Sequence, residues 1–353
     1  MGMSTFAVTY TVKDEAKLLA LAIPYYIQSG CSRIYLYWDG TTDNSKELVK
    51  QYGDIIVCRD TVEAHELKEI PEWVHEISPR WRESMDVRKR INTLHAARLA
   101  FDEGIDWITS VDPDELIIPS KDAIDPKGAI STFLSNVSEH KNLLFLSNLE
   151  AVPTSDESNN PFVECNLFLN RFPVTEQILR YTKAGIRIFT KNPILHAWYE
   201  YIFYKIRFPG APLRTLRHPE TNKVIPTGVF LGYLGYKSII RTRTALESLF
   251  NIHKWEKDKC DLDIAYKGYV LHYDLFDAQY TAAKFRQRPP AMQVKAFHAR
   301  YMIAMIARNS SDEVINKFFN DCIALTRAED LNKLIARRIV VKIDGIANLL
   351  QMH

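Results

Sequence analysis

Four consecutive residues, Asp112-Pro113-Asp114-Glu115, follow an apolar run and place two aspartates two positions apart. Two carboxylates with this spacing beyond a strand end can share one divalent cation. Their hard oxygen atoms suit Mg²⁺ or Mn²⁺, which also bridge the phosphates of a nucleotide. The alternative is a surface turn, since Asp and Pro are common turn residues. The apolar run Trp107–Val111 before the motif favours the metal site, with Asp112 and Asp114 as ligands.

Acidic residues also follow two other predicted strands. Asp39 follows the predicted strand Arg33–Trp38, and an acidic residue at that point can hydrogen-bond a base or ribose. The alternative is a helix N-cap, which suits Asp43 of the same loop better than Asp39. Asp14 and Glu15 follow the first strand of the chain and either cap the next helix or hold a loop that closes over the base.

Strands and helices are predicted to alternate in the first third of the chain, and these elements would position the acidic residues. The predicted elements are strand Phe6–Thr11, helix Lys13–Gln28, strand Arg33–Trp38, a short helix with an Asn44-x-x-Glu47 capping pattern, strand Asp54–Arg59, helix Val87–Glu103 and strand Trp107–Val111. This alternation indicates an α/β fold with a largely parallel sheet and right-handed crossovers. Ligands of such sheets bind at the carboxyl ends of the strands, where Asp39 and Asp112 fall.

The later part of the chain is less regular and ends in helices. Predicted strands are Leu143–Ser147, Ile186–Thr190, Lys237–Arg241 and Gly268–Tyr273, and predicted helices are Asp277–Arg286, Ala291–Arg308, Asp312–Thr326 and Ala328–Ala347. The aromatic and basic segment His196–Arg217 is either a partly buried connector or a surface for sugars or lipid headgroups. Arg337, Arg338 and Lys342 form either a membrane-facing patch or a solvated helix face.

The 353 residues carry a formal net charge of +2, which divides into −11 through Asn170 and +13 from Arg171. A pI of about 8.1 is too mild for a dedicated nucleic-acid binder, and no DNA- or RNA-binding motif occurs. Five dispersed cysteines fit reduced thiols. No apolar run approaches the roughly 18 residues that cross a bilayer, and the first residues lack a secretory signal. We therefore expect a cytoplasmic enzyme, with peripheral contact at the inner face of the membrane as an option.

Taken together and in this order, the motifs resemble a known enzyme family. They are Asp14-Glu15, Asp39-Gly40-Thr41-Thr42-Asp43, the segment WITSVDPDELIIP, Lys237-Ser238-Ile239-Ile240-Arg241, His253, His272-Tyr273, Tyr280 and Lys284. This set is similar to family-two-like glycosyltransferases with a GT-A fold, in the branch related to family ninety-two. The resemblance implies a Rossmann-like, mostly parallel sheet flanked by helices in residues 1–285. Residues 1–120 would form the nucleotide-sugar half and 121–285 the acceptor half, with a C-terminal helical region in 286–353.

The resemblance also implies a function. The implied reaction is the metal-dependent transfer of a sugar from a nucleotide-sugar donor, expected to be a UDP-sugar. The acceptor would be a glycan or glycolipid in the synthesis of cell-surface polysaccharide or lipopolysaccharide. Asp14, Glu15 and Asp39 would contact the base, Asp112 the ribose and metal, and Asp114 the metal. His272 would be a further ligand, with His253 as the weaker alternative. Lys237, Arg241 and Lys284 would either meet phosphates or be solvated surface charges. The cofactor would be Mn²⁺ or Mg²⁺.

The catalytic base is less evident from the sequence. An inverting transfer needs a carboxylate that takes the proton of the acceptor hydroxyl. Glu150 is the first candidate, and Asp156 and Glu164 are the reserves, although each also fits an ordinary loop residue. If none of them serves, a retaining reaction is open.

Two other function classes remain. A nucleotidyltransferase or other sugar-nucleotide enzyme would use the same acidic sheet edge, but the first loop, TYTVKDEAKLL, contains no glycine-rich phosphate cradle. A non-catalytic protein would bind an anionic ligand through the basic second half.

Overall fold

The computed structural model describes residues 3–122, 127–170, 214–217, 224–227, 235–287, 305–344 and 346. The chain forms two compact units. One comprises residues 1–148, 234–272 and 344–353, and the other residues 149–233 and 273–343. The predicted domain boundary after residue 285 stays a prediction. The predicted strand Ile186–Thr190 and most of the segment His196–Arg217 lie outside the described residues.

The first unit is built on an eight-stranded sheet. Its strands are β1 (Phe6–Val12), β2 (Arg33–Trp38), β3 (Ile56–Asp60), β4 (Trp107–Ser110), β5 (Glu115–Ile118), β6 (Leu143–Glu150), β10 (Tyr236–Arg241) and β13 (Ile264–His272). Their order is β3-β2-β1-β4-β10-β6-β13-β5. The first four strands in this order pair in parallel. Strand β10 runs antiparallel to β4 and β6, and β13 runs antiparallel to β5. The predicted α/β class is confirmed, and strands β3, β2, β1 and β4 form the predicted parallel part of the sheet.

Helices and a hairpin accompany this sheet. The first unit contains α1 (Ala16–Gln28), α2 (Ser45–Leu48), α3 (Glu72–Ile77), α4 (Met85–Asp102), α5 (Ala129–Ser135), α7 (Thr242–Ala245), and the hairpin of β11 (Ser248–Asn251) and β12 (Lys254–Lys257). All seven residues of β1 are buried, which explains its nearly continuous apolar sequence, because an interior parallel strand is covered on both faces. Helix α4 contributes Ile91, Leu94 and Ala97 to the core on the face of the sheet that carries Tyr35 and Tyr37.

The predicted start of α1 is wrong, and the predicted cap of α2 has Asn44 at the N-cap position but without its hydrogen bond. Helix α1 begins at Ala16 and not at Lys13, because Asp14 has a left-handed φ of 54°, which interrupts a helix. The side chain of Asn44 makes no capping hydrogen bond to α2. The carboxylate of Asp43 instead accepts the Ser45 N–H at 3.0 Å, so the capping alternative for Asp43 is confirmed.

The second unit contains short strands and helices. They are α6 (Pro161–Glu164), β7 (Leu167–Leu169), β8 (Arg214–Arg217), β9 (Val224–Thr227), α8 (Ala278–Gln287), α9 (Asp312–Cys322), α10 (Ala328–Ala336) and β14 (Val340–Lys342). Residues 305–309 are also helical. Strands β8 and β9 pair in antiparallel fashion, as do β14 and β7.

The predicted helix Ala328–Ala347 is wrong in its second half. Helix α10 ends at Ala336, and Arg338 has a left-handed φ of 56°. The run Ile339-Val340-Val341 is β-branched and favours a strand. Ile339 and Val340 are buried against Leu169 and Leu325. Burial of this apolar run against β7 therefore decides the structure, and Lys342 lies at the end of a strand instead of on a helix face.

A buried histidine makes the stability of the first unit dependent on pH. Nδ1 of His95 in α4 lies 2.7 Å from the hydroxyl oxygen of Tyr37 in β2. Burial, assisted by Arg59, lowers the pKa of His95 to about 4. Between its unfolded pKa of about 6.5 and this value, the unfolded chain binds a proton that the folded chain does not, so stability is present at neutral pH and lost on acidification.

We expect the free energy of unfolding to fall by about 1–2 kcal/mol between about pH 7.5 and about pH 5 because of this group, after allowance for its partial exposure. Urea unfolding of wild type and His95→Gln at the two pH values measures the effect. The H95Q variant should lose that part of the pH dependence. His65→Gln, at an exposed position, is the matched control and should retain it. An unchanged pH dependence in H95Q would contradict the assignment.

Candidate active site

The acidic residues predicted to act together lie at the carboxyl ends of neighbouring strands. Asp39 follows β2, and Asp112 and Asp114 lie in the turn between β4 and β5. Strands β2 and β4 both flank β1, so the two aspartate-bearing ends share one edge of the sheet. Asp114 and Glu115 are only 3% and 2% exposed. The alternative of a solvated surface turn is therefore wrong for Asp114 and Glu115.

Two lysines hold Asp112. Lys89 of α4 donates a hydrogen bond to one carboxylate oxygen, and Lys237 of β10 lies 3.3 Å from the other. The Lys237 ammonium also lies 2.7 Å from Glu115, whose same oxygen accepts the backbone N–H of Asp112 at 2.8 Å. Two positive and two negative side chains thus form one charge-balanced network. Lys237 is completely buried, so the alternative of a solvated surface charge is wrong for this residue.

The lysines determine the ionisation of this network. Burial alone would raise the pKa of Asp112, but Lys237 and Lys89 hold that pKa well below its usual value. Burial would lower the pKa of Lys237, and Asp112 and Glu115 raise it instead. Asp112 is therefore a carboxylate and Lys237 an ammonium at neutral pH. A buried charge persists only when it is paired in this way.

Asp114 faces a different set of residues. Nε2 of His272 lies 3.8 Å from its carboxylate, because the register of β13 and β5 places His272 opposite Glu115. Asp274 follows His272 by two residues in the chain. Asp114, His272 and Asp274 are all buried, and each offers one ligand atom within 4.8 Å of the other two. Asp112 is not part of this group in the described residues.

The donor set fits a divalent cation. Two carboxylate oxygens and one imidazole nitrogen suit Mn²⁺, and the carboxylates alone suit Mg²⁺. Burial of three such groups together is costly unless a positive charge offsets the carboxylates. Asp114, His272 and Asp274 are therefore the residues that would hold a metal. Asp112, predicted as a ligand from its spacing to Asp114, is paired with two lysines, and its role at the metal stays a prediction.

His253, the weaker candidate ligand, lies at the tip of the hairpin of β11 and β12. The preceding residue, Ile252, has a left-handed φ of 49°, which is rare for a β-branched residue and stores strain. Burial, together with Lys237 and Lys89, lowers the pKa of His253 to about 3. Its imidazole is therefore neutral at physiological pH. The hairpin thus brings a neutral imidazole close to the lysine network but outside the cluster of Asp114.

Asp39 is held by an arginine from the first turn of α4. Arg88 contacts both carboxylate oxygens, and its Nη2 lies 3.0 Å from Oδ2. The guanidinium also donates to the backbone oxygen of Trp81 at 2.7 Å and lies over the Trp81 ring. The Asp39 side chain is 7% exposed. Its predicted contact with the base stays a prediction, and the structure adds that Arg88 fixes its orientation.

The loops after β1 and β2 interlock through two aspartates. The Asp14 carboxylate accepts the backbone N–H groups of Thr42 and Asp43 at 2.6 and 3.1 Å. The Asp43 carboxylate in turn accepts the Ala16 N–H at 2.9 Å and so caps α1. Burial alone would raise the pKa of Asp14, but these hydrogen bonds lower it. Asp14 therefore holds the second loop, and Glu15 precedes the first residue of α1.

Two other residues that were predicted to contact the donor interact with groups of the protein. Lys284 lies 2.8 Å from Asp274, within the second unit. Arg241 lies over the Trp107 ring at 4.3 Å and donates to the backbone oxygen of Lys141 at 3.0 Å. The role of Lys284 at the donor stays a prediction. In the structure its ammonium balances the charge of Asp274.

The candidate bases lie in the second unit, which begins at residue 149, within the last two residues of β6. Glu150 is fully buried and is the last residue of β6, which runs three residues beyond its predicted end. Asp156 accepts a hydrogen bond from Asn320 at 2.8 Å. Glu164 accepts the backbone N–H groups of Asn159 and Asn160 at 3.2 Å, as a loop-bracing residue does. The role of Glu150 stays a prediction.

The sequence profile of glycosyltransferase family 92 matches residues 4–309. The chain belongs to glycosyltransferase family 92. The resemblance to the branch related to this family is thus confirmed, and the matched part of the chain is a domain of this glycosyltransferase family. Membership of the family favours an enzyme over a non-catalytic binding protein. No curated protein matches the chain.

Several solved structures show limited similarity to this family 92 member. The crystal structure of S. aureus TarS matches at 13% identity over 44% of this chain and 24% of that chain, with a TM-score of 0.26. A mycobacterial protein matches at 17% identity over 55% and 51%, with a TM-score of 0.28. An active-site mutant of LgtC matches at 17% identity over 44% and 47%, with a TM-score of 0.21. The chain spans about a quarter to about a half of these solved chains.

The residues of this site that were not predicted from the sequence include Asp274, Lys89 and Arg88. The spacing of Asp274 to His272 matches that of the two motif aspartates, and this signal was available in the sequence. Arg88 and Lys89 lie in a basic tripeptide at a helix start, which the sequence alone does not distinguish from a solvated face. Within the described residues, no helix has the length and apolar character that crossing a bilayer requires.

Proposed function

We propose that this glycosyltransferase transfers a sugar from a UDP-sugar to a hydroxyl group of a glycan or glycolipid, with Mn²⁺ or Mg²⁺ held by Asp114, His272 and Asp274. The observation that carries the proposal is the buried cluster of two carboxylates and an imidazole beside the strand ends that also bear Asp39 and Asp112. Nucleotides bind at this edge of open α/β sheets, which supports a donor site here.

Each group at this edge has a separate task in the proposed reaction. When bound, the cation offsets the charge that develops on the diphosphate leaving group. Asp114, His272 and Asp274 hold that cation, while Asp112 and Asp39 accept hydrogen bonds from the ribose and the base. Both latter carboxylates are already oriented by cationic side chains, so donor binding needs little reorganisation.

The proposed donor and metal are tested together with purified protein and a panel of UDP-, GDP- and dTDP-sugars. We expect release of UDP from one UDP-sugar in the presence of Mn²⁺, its loss on addition of EDTA, and its recovery with excess Mn²⁺. Undiminished release in EDTA would contradict the metal dependence. Release of pyrophosphate from a nucleoside triphosphate would instead favour a nucleotidyltransferase.

The proposed catalytic base is Glu150, acting in an inverting transfer. A carboxylate in this role would take the proton of the acceptor hydroxyl as that oxygen attacks the sugar. We expect Glu150→Gln to lower the rate of sugar transfer by about 10²-fold or more while donor affinity is retained. Steady-state kinetics gives the rate, and NMR of the product gives the configuration at the anomeric carbon. Retention of configuration, or full activity of E150Q, would contradict the assignment.

The proposed acceptor is an anionic glycan or glycolipid of the cell surface, such as a capsule or lipopolysaccharide precursor, used at the cytoplasmic face of the membrane. The support is the charge of +13 in the part of the chain from Arg171. Cosedimentation with vesicles that contain anionic lipid, compared with vesicles of neutral lipid, tests the membrane contact. Equal and negligible binding to both would contradict it.

A further inference from the structure

Lys237 is predicted from the family resemblance to contact donor phosphates, but its surroundings favour a different role. Its side chain has no exposed surface, and its ammonium lies 2.7 Å from Glu115 and 3.3 Å from Asp112. A phosphate could therefore contact this ammonium only by displacing one of two carboxylates that already neutralise it. Lys237 therefore has two protein carboxylates as partners where a phosphate would have to bind.

Of those two carboxylates, Asp112 lies in the turn between β4 and β5, and Glu115 is the first residue of β5. Glu115 joins Lys237 to the backbone of this turn, because its Oε2 also accepts the Asp112 N–H at 2.8 Å. Lys89 holds the opposite oxygen of Asp112 from α4. The Asp112 side chain is 34% exposed, whereas those of Lys237, Glu115 and Lys89 are between 0% and 5% exposed. One carboxylate thus faces solvent, and three buried groups fix its position.

We infer that Lys237 is a positioning residue and does not bind the diphosphate. Through its contacts with Asp112 and Glu115, it orients the Asp112 carboxylate toward the ribose of the donor. This inference rests on the proposed function, since it takes the donor to be a uridine nucleotide. The structural reason is that Lys237 and Lys89 each contact one oxygen of Asp112 from β10 and α4 and are themselves buried, whereas the Asp112 side chain keeps 34% of its surface exposed.

The two roles of Lys237 give different results with uridine, which has no phosphate. If Lys237 orients Asp112, then Lys237→Met weakens uridine binding by about tenfold, as loss of a residue that orients a ligand-binding group does. Glu115→Gln weakens uridine binding in the same direction, because it breaks the network from the opposite side. If Lys237 binds phosphate, K237M leaves uridine binding unchanged, and E115Q leaves UDP binding unchanged or tightens it.

Saturation-transfer NMR with uridine, and calorimetry with UDP and Mn²⁺, measure these affinities in the full chain. Lys50→Met, at an exposed position, is the matched control and should bind both ligands as wild type does. E115Q keeps an oxygen that can accept the Asp112 N–H, so it tests the inference even if K237M fails to fold.

Unchanged uridine affinity in E115Q, or in folded K237M, would overturn the positioning role alone. Wild-type protein that binds neither uridine nor UDP would overturn the proposed donor and this role with it.

Discussion

Replacing Asp114 with Asn is expected to lower the rate of metal-dependent sugar transfer by about 10²- to 10³-fold, the cost of removing one preorganised electrostatic contact to the transition state. Asn keeps the size of the side chain but removes one of the two negative charges of the cluster with His272 and Asp274. The lost charge weakens cation binding, so the concentration of Mn²⁺ that gives half-maximal activity should rise as well. Titration of activity with Mn²⁺ measures both effects.

Asp60→Asn is the matched control for this prediction. Asp60 ends β3 at a neighbouring position in the same sheet, but its side chain is 83% exposed and pairs with Lys46 instead of a cluster of potential ligands. The D60N variant should keep wild-type activity and the wild-type dependence on Mn²⁺. Sugar transfer by D114N at an undiminished rate would exclude Asp114 as a metal ligand.

Replacing Arg88 with Met is expected to reduce the free energy of unfolding by about 3 kcal/mol, the lower end of the cost of leaving a buried charge unpaired. The Asp39 side chain is 7% exposed, and Arg88 contacts both of its oxygens. Loss of the guanidinium also removes the hydrogen bond to the backbone of Trp81. Urea unfolding gives the change in stability. Affinity for UDP should fall as well, because Asp39 is no longer oriented.

The double variant R88M/D39N separates these two effects. The amide that replaces the Asp39 carboxylate carries no charge, so the double variant should recover much of the lost stability, which appears as a coupling energy in a double-mutant cycle. Binding of UDP should not recover, because the carboxylate that would contact the base is absent. Arg82→Met, at an exposed position just before α4, is the control for loss of an arginine. Recovery of UDP affinity in the double variant would contradict the role of Asp39 at the donor.

The first four parallel strands were predictable because each is a short apolar run bounded by polar residues. Strand β2 has its predicted limits, and β1 and β4 each differ from theirs by one residue. The helical region near the C-terminus was less predictable. An amphipathic pattern continues past Ala336, but burial of the β-branched run against β7 makes residues 340–342 a strand. A contact with a distant segment outweighs the local periodicity there.

The sequence by itself determined which residues end the strands of the parallel sheet, and hence that Asp39, Asp112 and Asp114 share one edge. This follows because a local apolar pattern marks the limits of each strand, and the helical crossovers between successive strands make them parallel. Only the tertiary structure decided which partner each carboxylate has. Lys237 lies 125 residues from Asp112 and His272 lies 158 residues from Asp114, so no local pattern relates them. Asp112 and Asp114 are two residues apart, yet one meets two ammonium groups and the other an imidazole and a carboxylate. Burial requires the charge of Asp112 to be offset, and the lysines that offset it come from α4 and β10, whereas β13 brings a potential metal ligand to Asp114.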